Sequence, residues 1–307
     1  MIKGTVMING GRDLIVSLPG TEELGSRISN LLRCEHVTPY TKVFPDGESY
    51  LRLEGDFEGK EVTLLSTMYP EQNRRLVELV FASKTLVERG ASKVRGVVTY
   101  LAYARQDKEF LPGEVVSARI VIDMLKYAGI GELYVVDVHK PEILNGFGGP
   151  SRNILMVETF ASFLRSRGVD NPLIVAPDLG ASHRAEALAK EIGGECVIIR
   201  KFRDRVTGEI RHELPEGFHI DGRTAVVIDD IISTGGTMAS IVSFLKRSGA
   251  RRVYALASHG VFVGNAVERL ISGGADEVAV LDTLSRRVEG VTYLDISHEL
   301  SKHLSNC

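Results

Sequence analysis

Cysteine is scarce in this chain: Cys34, Cys196 and Cys307 are the only three in 307 residues. They are odd in number and scattered, which excludes a disulfide framework and argues against a zinc site with paired ligands. Excess charge of either sign is also missing. The 37 lysines and arginines nearly balance the 40 aspartates and glutamates, leaving −3 at neutral pH. That balance gives no electrostatic case for nucleic acid or for an anionic membrane surface. A ligand carrying several phosphates must therefore be met by a few local arginines and lysines. No apolar run reaches membrane-spanning length, and the N-terminus has no basic-then-apolar signal pattern. The expectation is a cytoplasmic protein with reduced thiols and no membrane or nucleic-acid partner. At 44% hydrophobic and 25% charged, the composition supports a packed core, and the length suggests two domains.

What is present centres on residues 224–237, Thr-Ala-Val-Val-Ile-Asp-Asp-Ile-Ile-Ser-Thr-Gly-Gly-Thr. Four consecutive apolar residues open the run, too few for a helix and suited to a buried strand. Asp229 and Asp230 follow where that strand is expected to end. Ser233, Thr234, Gly235, Gly236 and Thr237 then lead into residues 238–247, whose apolar positions recur at helical spacing. Small residues between a strand and a helix N-terminus let the backbone approach a phosphate, with helical N–H groups aimed at it. Two carboxylates beside such a cradle are acceptors for sugar hydroxyls or a metal-bound substrate. The pattern is that of a pocket for a phosphorylated sugar, against the plainer reading of a turn with a solvated acidic step.

Around it, strands and helices alternate, which predicts parallel sheets covered on both faces. Strands are expected at Asp13–Ser17, 35–43, 62–66, 94–100, 133–138, Leu173–Ala176, 195–201, 253–258 and Glu277–Leu281. Helices are expected at 21–32, 73–88, 116–127, 155–165, 181–192, 265–271 and 297–304. Pro45-Asp46-Gly47 is turn chemistry, so residues 49–53 are expected to pair back as a hairpin. A second hairpin is expected to return at 209–212 after Thr207-Gly208. The Gly/Pro-rich stretch 145–150 is the expected junction, dividing the chain into 1–150 and 151–307.

The two halves read as copies of one unit. Gly90-Ala91-Ser92-Lys93-Val94 leads into a strand as Gly249-Ala250-Arg251-Arg252-Val253 does, and residues 131–137 echo 275–281. In that register 62–67 stands where 226–231 stands, without the acidic pair or the glycines. One half thus keeps a sugar-phosphate loop and the other is free for a different task.

Further clusters gain meaning together. Arg105, Gln106, Asp107 and Lys108 follow a strand; a guanidinium fork and an ammonium suit polyphosphate. Asp137-Val138-His139 ends another strand, and His139 taken alone reads as an ordinary loop histidine. Asp178, after Pro177, serves equally as a metal ligand or as a helix N-cap. Lys201-Phe202-Arg203-Asp204-Arg205 is by itself a solvated basic loop.

In their joint order, Phe44-Pro45-Asp46-Gly47-Glu48, Tyr103–Asp107, Asp137-x-His139, Pro177-Asp178-x-Gly180, Lys201-x-Arg203, Asp229–Thr237 and Ser258-His259-Gly260 resemble the ribose-phosphate diphosphokinases, or phosphoribosyl diphosphate (PRPP) synthetases. The 229–237 run resembles the ribose-phosphate loop of the type I phosphoribosyltransferase fold. The resemblance implies an α/β fold of two duplicated domains of that type, each a mainly parallel sheet flanked by helices. It implies transfer of the diphosphoryl group of ATP to the anomeric hydroxyl of ribose 5-phosphate, giving PRPP and AMP, with Mg²⁺. Phe44, Asp46 and Glu48 would hold adenine from a neighbouring subunit, which makes the protein at least a homodimer. Arg105, Gln106 and Asp107 would grip ATP, with His139 and Asp178 near the metal. Asp229 and Asp230 would hold the ribose hydroxyls and Ser233, Thr234, Gly235, Gly236 and Thr237 the 5-phosphate. Lys201 and Arg203 would lie on a mobile hairpin closing over the transferred group. The terminal helix is expected to pack back on the first domain. Two departures favour archaeal-type members: Ser233 stands where others carry an acid, and 110–116 reads Phe-Leu-Pro-Gly-Glu-Val-Val. The second puts an allosteric ADP site in doubt. A phosphoribosyltransferase consuming PRPP would need one such domain and has no use for Phe44–Glu48. A non-catalytic regulatory homologue would have eroded catalytic positions, whereas Arg105, Lys201, Arg203, Asp229 and Asp230 all stand.

Overall fold

The computed structural model describes residues 13–203, 210–215 and 217–305. The first half runs β1 (Asp13–Ser17), α1 (Glu22–Leu32), β2 (Glu35–Val37), β3 (Tyr40–Val43), β4 (Ser49–Arg52), β5 (Glu61–Thr67), α2 (Gln72–Glu88), β6 (Lys93–Tyr100), α3 (Ser117–Tyr127), β7 (Glu132–Val136), β8 (Ser151–Ile154) and α4 (Val157–Ser166). The second runs β9 (Leu173–Ala176), α5 (Ser182–Ile192), β10 (Glu195–Ile198), β11 (Arg200–Arg203), β12 (Ile210–Glu213), β13 (Thr224–Ile232), α6 (Gly236–Arg247), β14 (Arg252–Gly260), α7 (Ala266–Ser272), β15 (Glu277–Leu281), β16 (Thr292–Leu294) and α8 (Ser297–Ser305).

Two six-stranded sheets result, ordered β2-β1-β5-β6-β7-β8 and β10-β9-β13-β14-β15-β16. Every pairing in both sheets is parallel. Position for position the two orders are the same, so the duplication read in the sequence is a duplication of topology. Each sheet also carries a separate antiparallel ribbon, β3–β4 or β11–β12, inserted at the same point of the repeat. The expected extended stretches 35–43 and 195–201 are each broken in two, because the chain leaves the sheet edge to enter its ribbon. The turn expected at Thr207-Gly208 lies outside the described residues.

The strands form because their residues are apolar on both faces. Leu14, Val16, Leu64, Val98 and Val135 join Leu79, Leu86 and Leu125 of α2 and α3 in one core, while Ile15, Leu65 and Val97 are buried on the opposite face. Val175, Val227, Ala255 and Val280 pack likewise with Ile241, Val242 and Leu245 of α6. Double-faced burial is what a parallel sheet demands.

The chain divides into two compact units, one holding residues 1–154, 283–285 and 297–307, the other 155–282 and 286–296. Unit 1 therefore includes α8, which packs with α1. Unit 2 includes α4, which packs with the repeat-equivalent helix α5. The expected junction at 145–150 falls inside unit 1. Pro141–Phe147 is a 3-10 turn, and the unforeseen strand β8 beyond it pairs with β7. With one apolar residue in Ser-Arg-Asn-Ile, β8 has no periodicity to betray it.

Candidate active site

In unit 1 the candidate residues gather on the ribbon and at the C-terminal edge of the sheet, where ligands of open α/β sheets bind. The β3–β4 turn is closed by Phe44 N–H donating to the Glu48 carbonyl (2.8 Å) and Gly47 N–H to the Phe44 carbonyl (2.9 Å). Gly47 sits at φ +98°, a conformation that favours glycine. Asp46 Oδ1 accepts from Glu48 N–H at 3.2 Å. The Phe44 ring meets Tyr50 edge-on with centroids 6.0 Å apart, and Lys42 Nζ lies 4.4 Å from its centroid. Phe44, Asp46 and Glu48 are all exposed, so the turn offers an aromatic face flanked by two carboxylates.

Glu78 of α2 anchors this ribbon. It is buried, and its Oε1 accepts from Ser49 Oγ (3.0 Å) while its Oε2 accepts from Arg75 Nη1 (3.0 Å). Ser49→Ala removes one hydrogen bond to a charged group, and a stability loss of about 1.5 kcal/mol is expected in denaturant unfolding. An unchanged midpoint would show that the ribbon is held elsewhere.

Beyond β6, Tyr103 turns the chain at φ +66°. Gln106 N–H then donates to the Tyr103 carbonyl (3.1 Å), and Ala118 N–H of α3 to the Gln106 carbonyl (3.2 Å). Arg105 is left exposed, with Gln106 and Asp107 half-buried. His139, half-buried, follows β7 after Asp137 at φ +40°, and Val138 N–H donates to Asn153 Oδ1 at 2.8 Å. A cavity of about 560 Å³ opens between the end of β6 and the start of α2, lined by Glu71–Arg74, Tyr100, Ala102 and Tyr103.

In unit 2, β13 does not stop before the acidic pair as expected. It runs through Asp229 and Asp230 to Ile232, pairing with β14 as far as Gly260. Asp230 is buried and Asp229 half-exposed. Asp229 Oδ1 accepts from Asp230 N–H at 2.9 Å and faces Arg184 Nη1 of α5 at 3.9 Å. Burial first, then the adjacent Asp230 charge, holds the Asp229 carboxyl well above the ordinary carboxylate range, against the pull of Arg184.

Gly235 is the N-cap of α6 at φ +71°, and a Cβ there would stand 3.1 Å from the Ala266 carbonyl oxygen. The cradle backbone is tied down elsewhere: Val263 N–H donates to the Ser233 carbonyl (3.0 Å) and Arg269 Nη1 to the Thr234 carbonyl (3.0 Å). Thr234 and Thr237 are exposed, and the first N–H groups of α6 have no partner within the helix. Together they form an anion cradle beside two carboxylates. The equivalent N-cap in unit 1 is Glu71, also left-handed at φ +67°. The backbone bend is kept in both repeats, while Met68-Tyr69-Pro70-Glu71 replaces the small residues.

Asp178 is exposed, and its Oδ1 caps the 3-10 turn Leu179–Ala181 by accepting from Gly180 N–H (2.8 Å) and Ala181 N–H (3.2 Å). Its Oδ2 takes neither bond. Among the described residues no three His, Cys, Asp or Glu side chains gather to hold a metal. An exposed carboxylate oxygen without a protein cage suits Mg²⁺, which keeps its waters and shares its sphere with substrate phosphates. Lys201 and Arg203 stand two residues apart on β11, paired in register with His212 and Ile210; their side chains lie outside the described residues.

Two residues were not foreseen. Arg184 is 3% exposed, donates to the Gly180 carbonyl at 3.2 Å and faces Asp229, so it links the Asp178 turn to the acidic pair. Glu114 holds Gln106, as set out below. Glu114 stands within the 110–116 departure and Arg184 one helical turn after Gly180, but what each holds is seen only in the folded chain.

Residues 14–129 match the N-terminal domain of ribose phosphate pyrophosphokinase, and 153–269 match the phosphoribosyl transferase domain. The ribose-phosphate pyrophosphokinase of Sulfolobus acidocaldarius is 36% identical over 95% of this chain and 100% of its own. That of Aeropyrum pernix is 37% identical over 92% of this chain and 94% of its own. Among solved structures, the phosphoribosylpyrophosphate synthetase of Mycobacterium smegmatis superposes with a TM-score of 0.84 at 28% identity, covering 95% of this chain and 97% of that one.

Proposed function

The chain belongs to the ribose-phosphate pyrophosphokinase family, and from that premise we propose that it makes PRPP by moving the β,γ-diphosphoryl group of ATP onto ribose 5-phosphate. The anomeric hydroxyl oxygen attacks the β-phosphorus, the bond to the α,β-bridging oxygen breaks, AMP leaves and the hydroxyl proton is released. The observation that carries this reading is the asymmetry of the repeats. Both keep the left-handed N-cap, but Asp229, Asp230 and the Ser-Thr-Gly-Gly-Thr cradle occur in unit 2 alone. One repeat thus takes the sugar phosphate and leaves the other for the nucleotide.

In this reading Asp229 and Asp230 accept from the ribose hydroxyls, while Ser233, Thr234, Thr237 and the N–H groups around Gly235 and Gly236 hold the 5-phosphate. Arg105, Gln106, Asp107 and His139 serve the polyphosphate of ATP, and Phe44, Asp46 and Glu48 the adenine of a second copy's site. Asp178 Oδ2 and His139 would be the protein's contribution to Mg²⁺, which when bound lowers the charge of the phosphates. Lys201 and Arg203 serve the group in flight. Transfer of this kind asks positioning and cations of a protein rather than a nucleophile. A phosphoribosyltransferase would use the unit 2 cradle alone and leave the exposed aromatic turn of unit 1 without a role. No described helix is long and apolar enough to cross a membrane.

The test is product analysis with ATP and Mg²⁺. AMP is expected only when ribose 5-phosphate is present; ADP as the product, or AMP formed without the sugar, would overturn the reading. The shared adenine site has its own test. Phe44→Ala/Asp46→Ala chains and Lys201→Ala chains are each expected to be poorly active, and co-refolded mixtures to regain activity through hybrid sites. No gain despite demonstrated subunit exchange would refute sharing.

A further inference from the structure

The loop 107–116 joins the Arg105-Gln106 segment to α3, and its apolar side chains do not secure it. Phe110 is 56% exposed, Leu111 66% and Val115 62%. What closes it is a set of donors converging on one oxygen. Glu114 Oε2 accepts from Phe110 N–H at 2.9 Å, Leu111 N–H at 3.1 Å and Gln106 Nε2 at 3.2 Å. Gly113, at φ +91°, lets the chain double back, and its N–H donates to Glu109 Oε1. Consecutive backbone N–H groups turned inward to one point form a nest, a site whose ordinary occupant is an anion. The Lys108 ammonium lies 5.0 Å from the Phe110 ring, adding positive charge at the same bend. The Leu111 and Phe110 N–H groups hold the Glu114 carboxyl below the usual range, so it is ionised at neutral pH.

We propose that Glu114 is a built-in anion: its carboxylate fills a nest that would otherwise take a free phosphate, and from there it holds Gln106 in place. Gln106 Nε2 donates to both Glu114 Oε2 and the Lys108 carbonyl (3.2 Å), and the Gln106 backbone carbonyl accepts from Ala118 N–H. Loss of the carboxylate frees one of the amide's two anchors and opens the loop at Phe110-Leu111. Glu114 is thus a positioning residue, and its effect on catalysis rests on the reading of Gln106 as part of the ATP grip. The loop closure itself does not depend on that reading.

The experiment uses the full chain with Glu114→Ala and Glu114→Gln, the second keeping an acceptor oxygen in case the first folds poorly. Chymotrypsin nicking after Phe110 is followed with and without millimolar inorganic phosphate, beside KM values for ATP and ribose 5-phosphate; the Leu111–Pro112 bond is not a chymotrypsin site. Glu114→Ala is expected to be nicked about tenfold faster than the parent, the change that losing hydrogen bonds to a charged group produces in a local opening. Glu114→Gln is expected to fall between the two. Phosphate should slow the nicking of Glu114→Ala, leave the parent unchanged, and bring the raised KM for ATP back down, with the KM for ribose 5-phosphate unmoved throughout. Parent-like nicking of both variants overturns the proposal. A loosened loop that phosphate does not re-close shows that the nest is no anion site and overturns it equally. Nicking that follows the expected pattern with an unaltered KM for ATP upholds the built-in anion and removes Gln106 from the ATP site.

Discussion

Lys201→Ala is expected to lower turnover about 10²-fold or more, the scale of losing one preorganised charge at a reacting group, while the affinities for ATP and ribose 5-phosphate change little. Base rates point the other way, since an isolated surface charge is usually worth under about 1 kcal/mol. What separates the two is where the ribbon sits. β11–β12 leaves the sheet between β10 and β13, the same point at which β3–β4 leaves between β2 and β5. Its counterpart carries the aromatic turn, so neither ribbon is a stray surface feature. An ammonium that meets the diphosphoryl group only as its charge redistributes contributes to the transition state and not to the ground state. Its removal therefore lowers kcat and leaves binding alone. Single-turnover rates, set against calorimetric Kd values for each substrate, check both halves of the expectation. Protection of Arg203 from trypsin when ATP, Mg²⁺ and an unreactive sugar phosphate are all present would add the closure itself. Normal turnover of Lys201→Ala would return the ribbon to solvent and take the mechanism's chief cation away.

Much of this arrangement is legible in the sequence because parallel strands buried on both faces announce themselves as short apolar runs. Leu173–Ala176 and Glu277–Leu281 are found where expected. The polar edges are not so legible. β8 and β16 are short strands with little alternation, each held at the sheet edge by the strand just before it, so no local pattern marks them. The end of β13 is hidden for another reason. Two carboxylates look like the end of a buried strand, yet pairing with β14 carries the backbone past them, which leaves Asp230 buried and Asp229 at the rim. Asp178 admits two readings in the sequence, and the structure puts its two oxygens to different uses: Oδ1 caps a turn, and Oδ2 is left over. Arg184 is identified by Asp229, a partner brought near by folding, and Glu114 by bonds within its own loop that no apolar pattern marks. A motif names the groups that touch a ligand, while the groups that hold those in place are visible only in three dimensions.

The acidic pair carries the other large effect. Asp229 is pressed into its carboxylate form by little. Burial and the Asp230 charge both favour the proton, and Arg184 at 3.9 Å opposes them only in part. Two acids so placed titrate as a pair, one of them above the ordinary carboxylate range. The sign follows from what the sugar asks of them. Hydroxyls donate, so the pair serves best ionised, and the raised group takes up its proton as pH falls from neutral while isolated carboxylates are still charged. kcat/KM for ribose 5-phosphate should therefore fall on the acid side earlier than ordinary carboxylates would allow, with ATP affinity flat over the same span. Asp229→Asn keeps the size of the side chain, removes the charge and relieves the repulsion on Asp230. We expect kcat/KM for ribose 5-phosphate to drop about 10²-fold, in line with removing a charged partner of bound hydroxyls. What activity remains should lose that early acid limb, because the raised Asp229 carboxyl that causes it is gone. Calorimetry separates this from general damage, since the variant should still bind ATP as the parent does. Loss of ATP binding with the sugar phosphate retained would place the nucleotide, and not the ribose, on the β13 loop.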